Sequence, residues 1–175
     1  MRRRGRKCQV ADTNVLVVAN RRDGGSYACA RNCARALLSL KKVGVIVIDD
    51  RDLILSEYRA HCSLAGQPGI GDSFIRWVHD NRGREELVQT VAITPREGGE
   101  GFVEFPEHQE LVNFDPADKK FVAAANAHQD KPHILQAADS KWWGWKGALV
   151  SCGITVDFLC PDEIKKVYER KFGAL

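Results

Sequence analysis

Short runs of β-branched residues alternate with helix-patterned segments along the whole chain, and that alternation constrains the fold more than any other feature. Val43–Ile48 is continuously apolar, as a strand covered on both faces must be. Gln9–Ala11, Leu87–Ile93, Ile134–Ala137 and Ile154–Leu159 read as four further strands, the third-strand run closed by Thr94-Pro95 and the last run stopped by Cys160-Pro161. Helical periodicity falls between them, at about 27–41, 51–65, 72–81, 116–128, 140–150 and 162–171. Strand and helix in regular alternation specify an α/β fold, here three layers (α/β/α) around a five-stranded, mainly parallel sheet with right-handed crossovers.

The chain of 175 residues suits one domain and is long enough to bury a core without staples. At 44% hydrophobic and 28% charged it is neither disordered nor fibrous. The net charge of +3 comes from the start of the chain, where Arg2, Arg3, Arg4, Arg6 and Lys7 cluster; the remainder is slightly acidic. The expected organisation is a basic, flexible tail over 1–7 and a single domain over 8–175. A broad phosphate-binding saddle is not implied. Six cysteines (Cys8, Cys29, Cys33, Cys62, Cys152 and Cys160) show no C-x-x-C, so free thiols in a reducing cytosol are expected. No apolar run approaches the length of a membrane span, and no signal-peptide pattern follows the basic start. The expectation is a cytoplasmic protein without a membrane partner.

In a parallel sheet, ligands bind beyond the carboxyl ends of the strands. Asp12 ends the first predicted strand and Asp139 the fourth, although each also fits a helix N-cap. On a helical wheel for 51–65, Glu57 falls within the arc of Leu53, Ile54 and Leu64, and Asp118 falls mid-stripe among Phe121, Val122 and Ala125. Asp115-Pro116-Ala117-Asp118 also fits an N-cap, a proline at the first helical position and an acid near the helix dipole, which accounts for Asp115 but not for the inward placement of Asp118. Carboxylates facing apolar surroundings are costly unless paired or coordinated. Four converging acids suit a hard divalent ion, Mg²⁺ or Mn²⁺. His61, one turn beyond Glu57, reads as a hydrogen-bonded neighbour rather than a ligand.

These segments resemble the PIN-domain family: Asp12-Thr13-Asn14-Val15-Leu16, Leu53 through Tyr58, Asp115 through Ala123, and Ile134-Leu135 through Asp139-Ser140-Lys141-Trp142, in family order over residues 8–161. The resemblance implies a metal-dependent ribonuclease. Asp12, Glu57, Asp118 and Asp139 would be its catalytic and metal-binding acids, and Asn14 a polar residue orienting ligands or water. Its substrate would be single-stranded RNA. Many relatives are toxins of toxin–antitoxin pairs, so an antitoxin protein and a homodimer are the partners it implies. Two departures bear on a second metal: Ala137 stands where many relatives have Thr or Ser, and Lys141 where many have a further acid.

Trp142, Trp143 and Trp145 follow Asp139. They suit either base stacking or, more commonly, packing of a helix on the sheet. Arg21, Arg22, Arg31, Arg35, Lys41 and Lys42 enrich the first helical region in positive charge. Other classes fit less well. A HAD-type phosphatase wants a second Asp where Asn14 stands, and a nucleotide-binding module wants a glycine loop that is absent. A PIN-like RNA- or protein-binding module with weak catalysis is the alternative, and metal-dependent cleavage separates it from the nuclease.

Overall fold

The computed structural model describes residues 6–23 and 25–173. Expectations for residues 1–5 lie outside these. Five strands form one all-parallel sheet: β1 (Lys7–Ala11), β2 (Gly44–Asp49), β3 (Val88–Val91), β4 (His133–Gln136) and β5 (Val156–Phe158). Their spatial order is β3-β2-β1-β4-β5. Seven α-helices among the described residues flank it: α1 (Thr13–Ala19), α2 (Tyr27–Val43), α3 (Leu53–His61), α4 (Ile70–Asp80), α5 (Lys119–Ala127), α6 (Lys141–Ser151) and α7 (Pro161–Phe172). Helices α1, α2 and α4 pack on one another, while α5 lies against β1, β2 and β4. The three-layer α/β/α reading holds.

The order of strands decides where a site forms. From β1 the chain winds outward through β2 to β3, then returns to the other side of β1 for β4 and β5. The connections after β1 and β4 therefore part at adjacent strand ends, the switch point at which parallel α/β sheets open a crevice. The pair is in register, with Ala11 opposite Leu135, and the Asp12 amide donates to the Leu135 carbonyl at 3.0 Å.

Every residue of β2 is buried, as its unbroken apolar run requires. In α2 the buried positions Cys29, Cys33, Leu37 and Leu40 keep helical spacing, and Ser26 caps the helix by accepting the Cys29 N–H at 3.1 Å. Helices α1 and α4 touch backbone to backbone. A Cβ on Gly71 would stand 2.3 Å from the Leu16 carbonyl oxygen, so only glycine fits.

Several expectations need correction. Lys7 is the first residue of β1 and pairs with Asp157 at 3.6 Å, so the strand reaches into the segment expected as tail. Helix α3 is shorter than 51–65. Asp49 at the end of β2 accepts the N–H groups of Arg51, Leu53 and Ile54 at 2.8–3.0 Å and so fixes its start. The thiols are not all free. Cys29 and Cys160 form a disulfide joining α2 to the N-cap of α7 across 131 residues, while Cys8, Cys33, Cys62 and Cys152 are unpaired. Cys33 lies within ligand distance of the pair, and burial pushes its thiol up to about 12. Sequence spacing is silent on contacts between elements so far apart in the chain. No described helix is long and apolar enough to cross a membrane.

Candidate metal centre

Asp12 is the first residue beyond β1 and the N-cap of α1. Its carboxylate accepts the Asn14 N–H at 2.7 Å, and only 5% of the residue is exposed. It is thus both cap and site residue. Asn14 contributes its backbone N–H to that bond and lines the cavity beside Asp12.

Glu57 reaches the cavity from α3. The buried side of that helix is Ile54, Leu55 and Tyr58, whereas Leu53 is exposed, so Glu57 borders the core rather than facing into it. Its partner was not legible in the sequence. The ammonium of Lys120, on the first turn of α5, bonds the Glu57 carboxylate and the Ala117 carbonyl, and only 8% of Lys120 is exposed. The fully buried Tyr58 donates its hydroxyl proton to the Ala11 carbonyl, tying α3 to the end of β1 one residue before Asp12.

Asp118 precedes α5 instead of sitting inside a helix over 116–128. Residues 116–118 form a turn capped by Asp115, which accepts the Ala117 N–H at 3.0 Å. The Asp118 carboxylate accepts the indole N–H of Trp142 at 3.0 Å. Asp139 lies beyond β4 and accepts the Lys141 N–H at 3.0 Å. Lys141, standing where a further acid was considered, pairs with Asp115 at 3.3 Å.

All four acids line one cavity of about 280 Å³ with Thr13, Asn14, Asp23 and His61. Cavities of about 490 and 480 Å³ open beside Phe105 and Trp145, but neither gathers these carboxylates. Asp23 is an addition that no motif signalled. Arg22 explains its place, because its guanidinium bonds the His61 carbonyl at 2.9 Å and the fully buried Asp72 at 3.1 Å. That clip draws the segment after α1 to the end of α3, so Asp23 and His61 share the rim.

The electrostatics bear the mark of crowding. Burial pushes the Asp12 carboxyl well above the usual carboxylate range, and Asp118, Glu57 and Asp139 push it further. Asp118 is pushed up to about 6, first by burial and then by Asp115 and Asp139, against the lowering effect of Trp142. The Thr13 hydroxyl is buried in the same wall without a hydrogen-bond partner. Crowded carboxylates and an unsatisfied hydroxyl are hard oxygen donors, so the set fits Mg²⁺ or Mn²⁺. The acids surround an open cavity and do not form a tight triad; among the described residues the close ligand groups are Cys29/Cys33/Cys160 and Cys8/His128/Asp130.

The tryptophans pack. Trp142 is fully buried edge-on to Phe114 at 5.1 Å between ring centroids, Trp145 tilts on Phe114 at 4.5 Å, and Trp143 meets Phe158 at 5.1 Å. Comparison with known proteins finds no matching family model, curated protein or solved structure.

Proposed function

We propose that this chain is a divalent-metal-dependent endoribonuclease of the PIN type, hydrolysing single-stranded RNA at the cavity between the ends of β1 and β4. The observation that carries this reading is the convergence of Asp12, Glu57, Asp118 and Asp139 on that one cavity. An uncompensated acidic pocket repels phosphate, so an RNA backbone can enter only when cations offset the carboxylates. Held by these carboxylates, Mg²⁺ or Mn²⁺ would supply charge neutralisation at the phosphate and lower the pKa of a bound water.

The chain's own residues divide the remaining work. Asp12, held by the Asn14 N–H, and Asp118, held by Trp142, present oriented carboxylates from two walls. Asp139 lines the same cavity, and Glu57 is kept in place by Lys120. Lys120 is nearly buried behind the cavity wall, so its charge acts on the site through Glu57. Because the tryptophans are engaged in packing, base stacking on them is not part of the reading; backbone recognition by exposed cations such as Arg31 and Arg35 on α2 is. A ribonuclease of this kind works where its RNA is, in the cytoplasm.

The test is a labelled single-stranded oligonucleotide incubated with Mn²⁺ or with EDTA. Cleavage with 5′-phosphate ends that EDTA abolishes, and that Asp139→Asn loses, is the expected outcome. Cleavage that persists in EDTA, or products ending in 2′,3′-cyclic phosphate, would overturn the mechanism. Metal-independent RNA binding without cleavage would favour the binding-module alternative.

A further inference from the structure

At the opposite edge of the sheet, the amino-terminal one, a second group of donors meets. Cys8 lies in β1, His128 is the C-cap of α5, and Asp130 stands in the connection to β4. One donor atom from each lies within 4.8 Å of the others. We propose that Cys8, His128 and Asp130 bind a single divalent ion of the zinc class, separate from the acidic cavity.

The chemistry of the donors is the first argument. A thiolate, an imidazole and a carboxylate are the mixed S/N/O set that Zn²⁺ takes, and they are unlike the all-oxygen set around Asp12. Ligands about 2.0–2.3 Å from a tetrahedral zinc stand about 3.3–3.8 Å from one another, so modest side-chain movement would complete the site. Charge also balances, since one thiolate and one carboxylate neutralise the ion.

A supporting shell is already in place. His128 Nε2 lies 2.6 Å from the Gln89 side-chain oxygen on β3, and the Cys8 thiol points to the same oxygen at 3.7 Å. That oxygen can only accept, so Nε2 carries the proton and Nδ1 keeps its lone pair. Nδ1 now accepts the Asp130 N–H at 3.1 Å, a bond a metal could replace. A ligating histidine whose other nitrogen donates to a fixed oxygen is the usual arrangement around zinc.

Access and local charge agree. Cys8 and Asp130 line a cavity of about 260 Å³ shared with Arg6, Lys7, Lys131 and His133, leaving room for a water in a fourth position. Two of the neighbouring cations are committed elsewhere: Lys7 to Asp157, and Lys131 to the carbonyl and side chain of Asn126.

Cobalt reports directly on sulfur ligation. Co²⁺ added to the full chain, without reductant so that the Cys29–Cys160 bond stays closed, should give one thiolate-to-cobalt charge-transfer band that Zn²⁺ displaces. Cys8→Ser, nearly isosteric, should abolish it, and Asp130→Asn, exposed and without consequence for folding, should weaken Co²⁺ binding at least tenfold. Asp12→Asn should leave the band unchanged. Absence of the band in wild type, its persistence in Cys8→Ser, or unaltered affinity in Asp130→Asn would each overturn the assignment.

Discussion

The ammonium of Lys120 rests on the carboxylate of Glu57, joining the first turn of α5 to α3 across the wall of the acidic cavity, with side chains only 10% and 27% exposed. Among the described residues it is the one side-chain cation within ion-pair distance of any of the four acids, and it bonds Glu57 alone. Removing one member of a buried pair leaves the other uncompensated, at about 3–5 kcal/mol when burial is complete.

Lys120→Met should therefore destabilise the protein in EDTA by about 2 kcal/mol, somewhat below that range because Glu57 retains contact with water. It should also tighten Mn²⁺ binding by about five- to tenfold, since a competing positive charge near the ion is worth on the order of 1 kcal/mol. Denaturant melts in EDTA and calorimetric titration measure the two effects. Weaker Mn²⁺ binding by a folded Lys120→Met protein would show that Lys120 supports the metal site instead of competing for it.

Asp12→Asn should act oppositely on stability. Asn caps helices as well as Asp does, and its side-chain oxygen can still accept the Asn14 N–H, so the cap survives. What disappears is a buried negative charge crowded by Asp118, Glu57 and Asp139. The expected result in EDTA is a gain of about 1 kcal/mol or more, together with near-complete loss of Mn²⁺ binding. A lower melting temperature for Asp12→Asn in EDTA would mean that the carboxylate is needed by the fold.

Residues that follow strand ends are readable from pattern, because an apolar run stops and a polar residue begins; Asp12 and Asp139 are of this kind. Glu57 was legible for a reason that proved inexact. The wheel placed Leu53 on the buried side, whereas Asp49 starts α3 in a rotation that buries Ile54, Leu55 and Tyr58. Lys120 and Asp23 escaped because each owes its place to a contact distant in sequence: Lys120 to Glu57, and Asp23 to the clip made by Arg22. Such pairings leave no periodic trace. The Cys29–Cys160 bond leaves no sequence trace for the same reason, since it forms where the start of α7, packed on α6, reaches the first turns of α2.

The raised carboxyls give a pH dependence with a definite sign. An unfolded Asp titrates near 3.9, whereas folded Asp118 titrates at about 6, so the folded chain binds more protons between these values. Stability without metal should fall as pH rises from about 4 to about 6, and Asp12, raised well above the usual carboxylate range, should carry the fall to higher pH. Asp118 contributes at most about 3 kcal/mol to that fall, less for the water that reaches its half-buried carboxylate. Trp142→Phe removes the indole bond that favours ionised Asp118, so Asp118 should titrate still higher and the fall should extend further up in pH. Carboxyl NMR titration gives the first and melts across pH the second. Stability that rises over this window in EDTA would contradict the crowding.

The disulfide sets the last expectation. Cys29 and Cys160 are 2% and 4% exposed, so both should resist alkylation in the folded protein. After denaturation without reductant, thiol titration should count four, matching Cys8, Cys33, Cys62 and Cys152, and reductant should raise the count to six. The bond closes a loop of more than 130 residues, which in the chain-entropy model stabilises by about 4–5 kcal/mol. Cys160→Ser should lower the denaturant midpoint accordingly, and reductant should lower that of wild type while leaving the variant nearly unchanged. Alkylation during denaturing lysis, which traps thiols as they are exposed, would count four blocked cysteines if the bond is closed in cells and six if it is open. A count of six in denatured, unreduced protein would mean that the two sulfurs meet as thiols, with Cys33 beside them, and that the start of α7 is tied to α2 only by hydrogen bonds such as Asn32 Nδ2 to the Leu159 carbonyl at 3.0 Å.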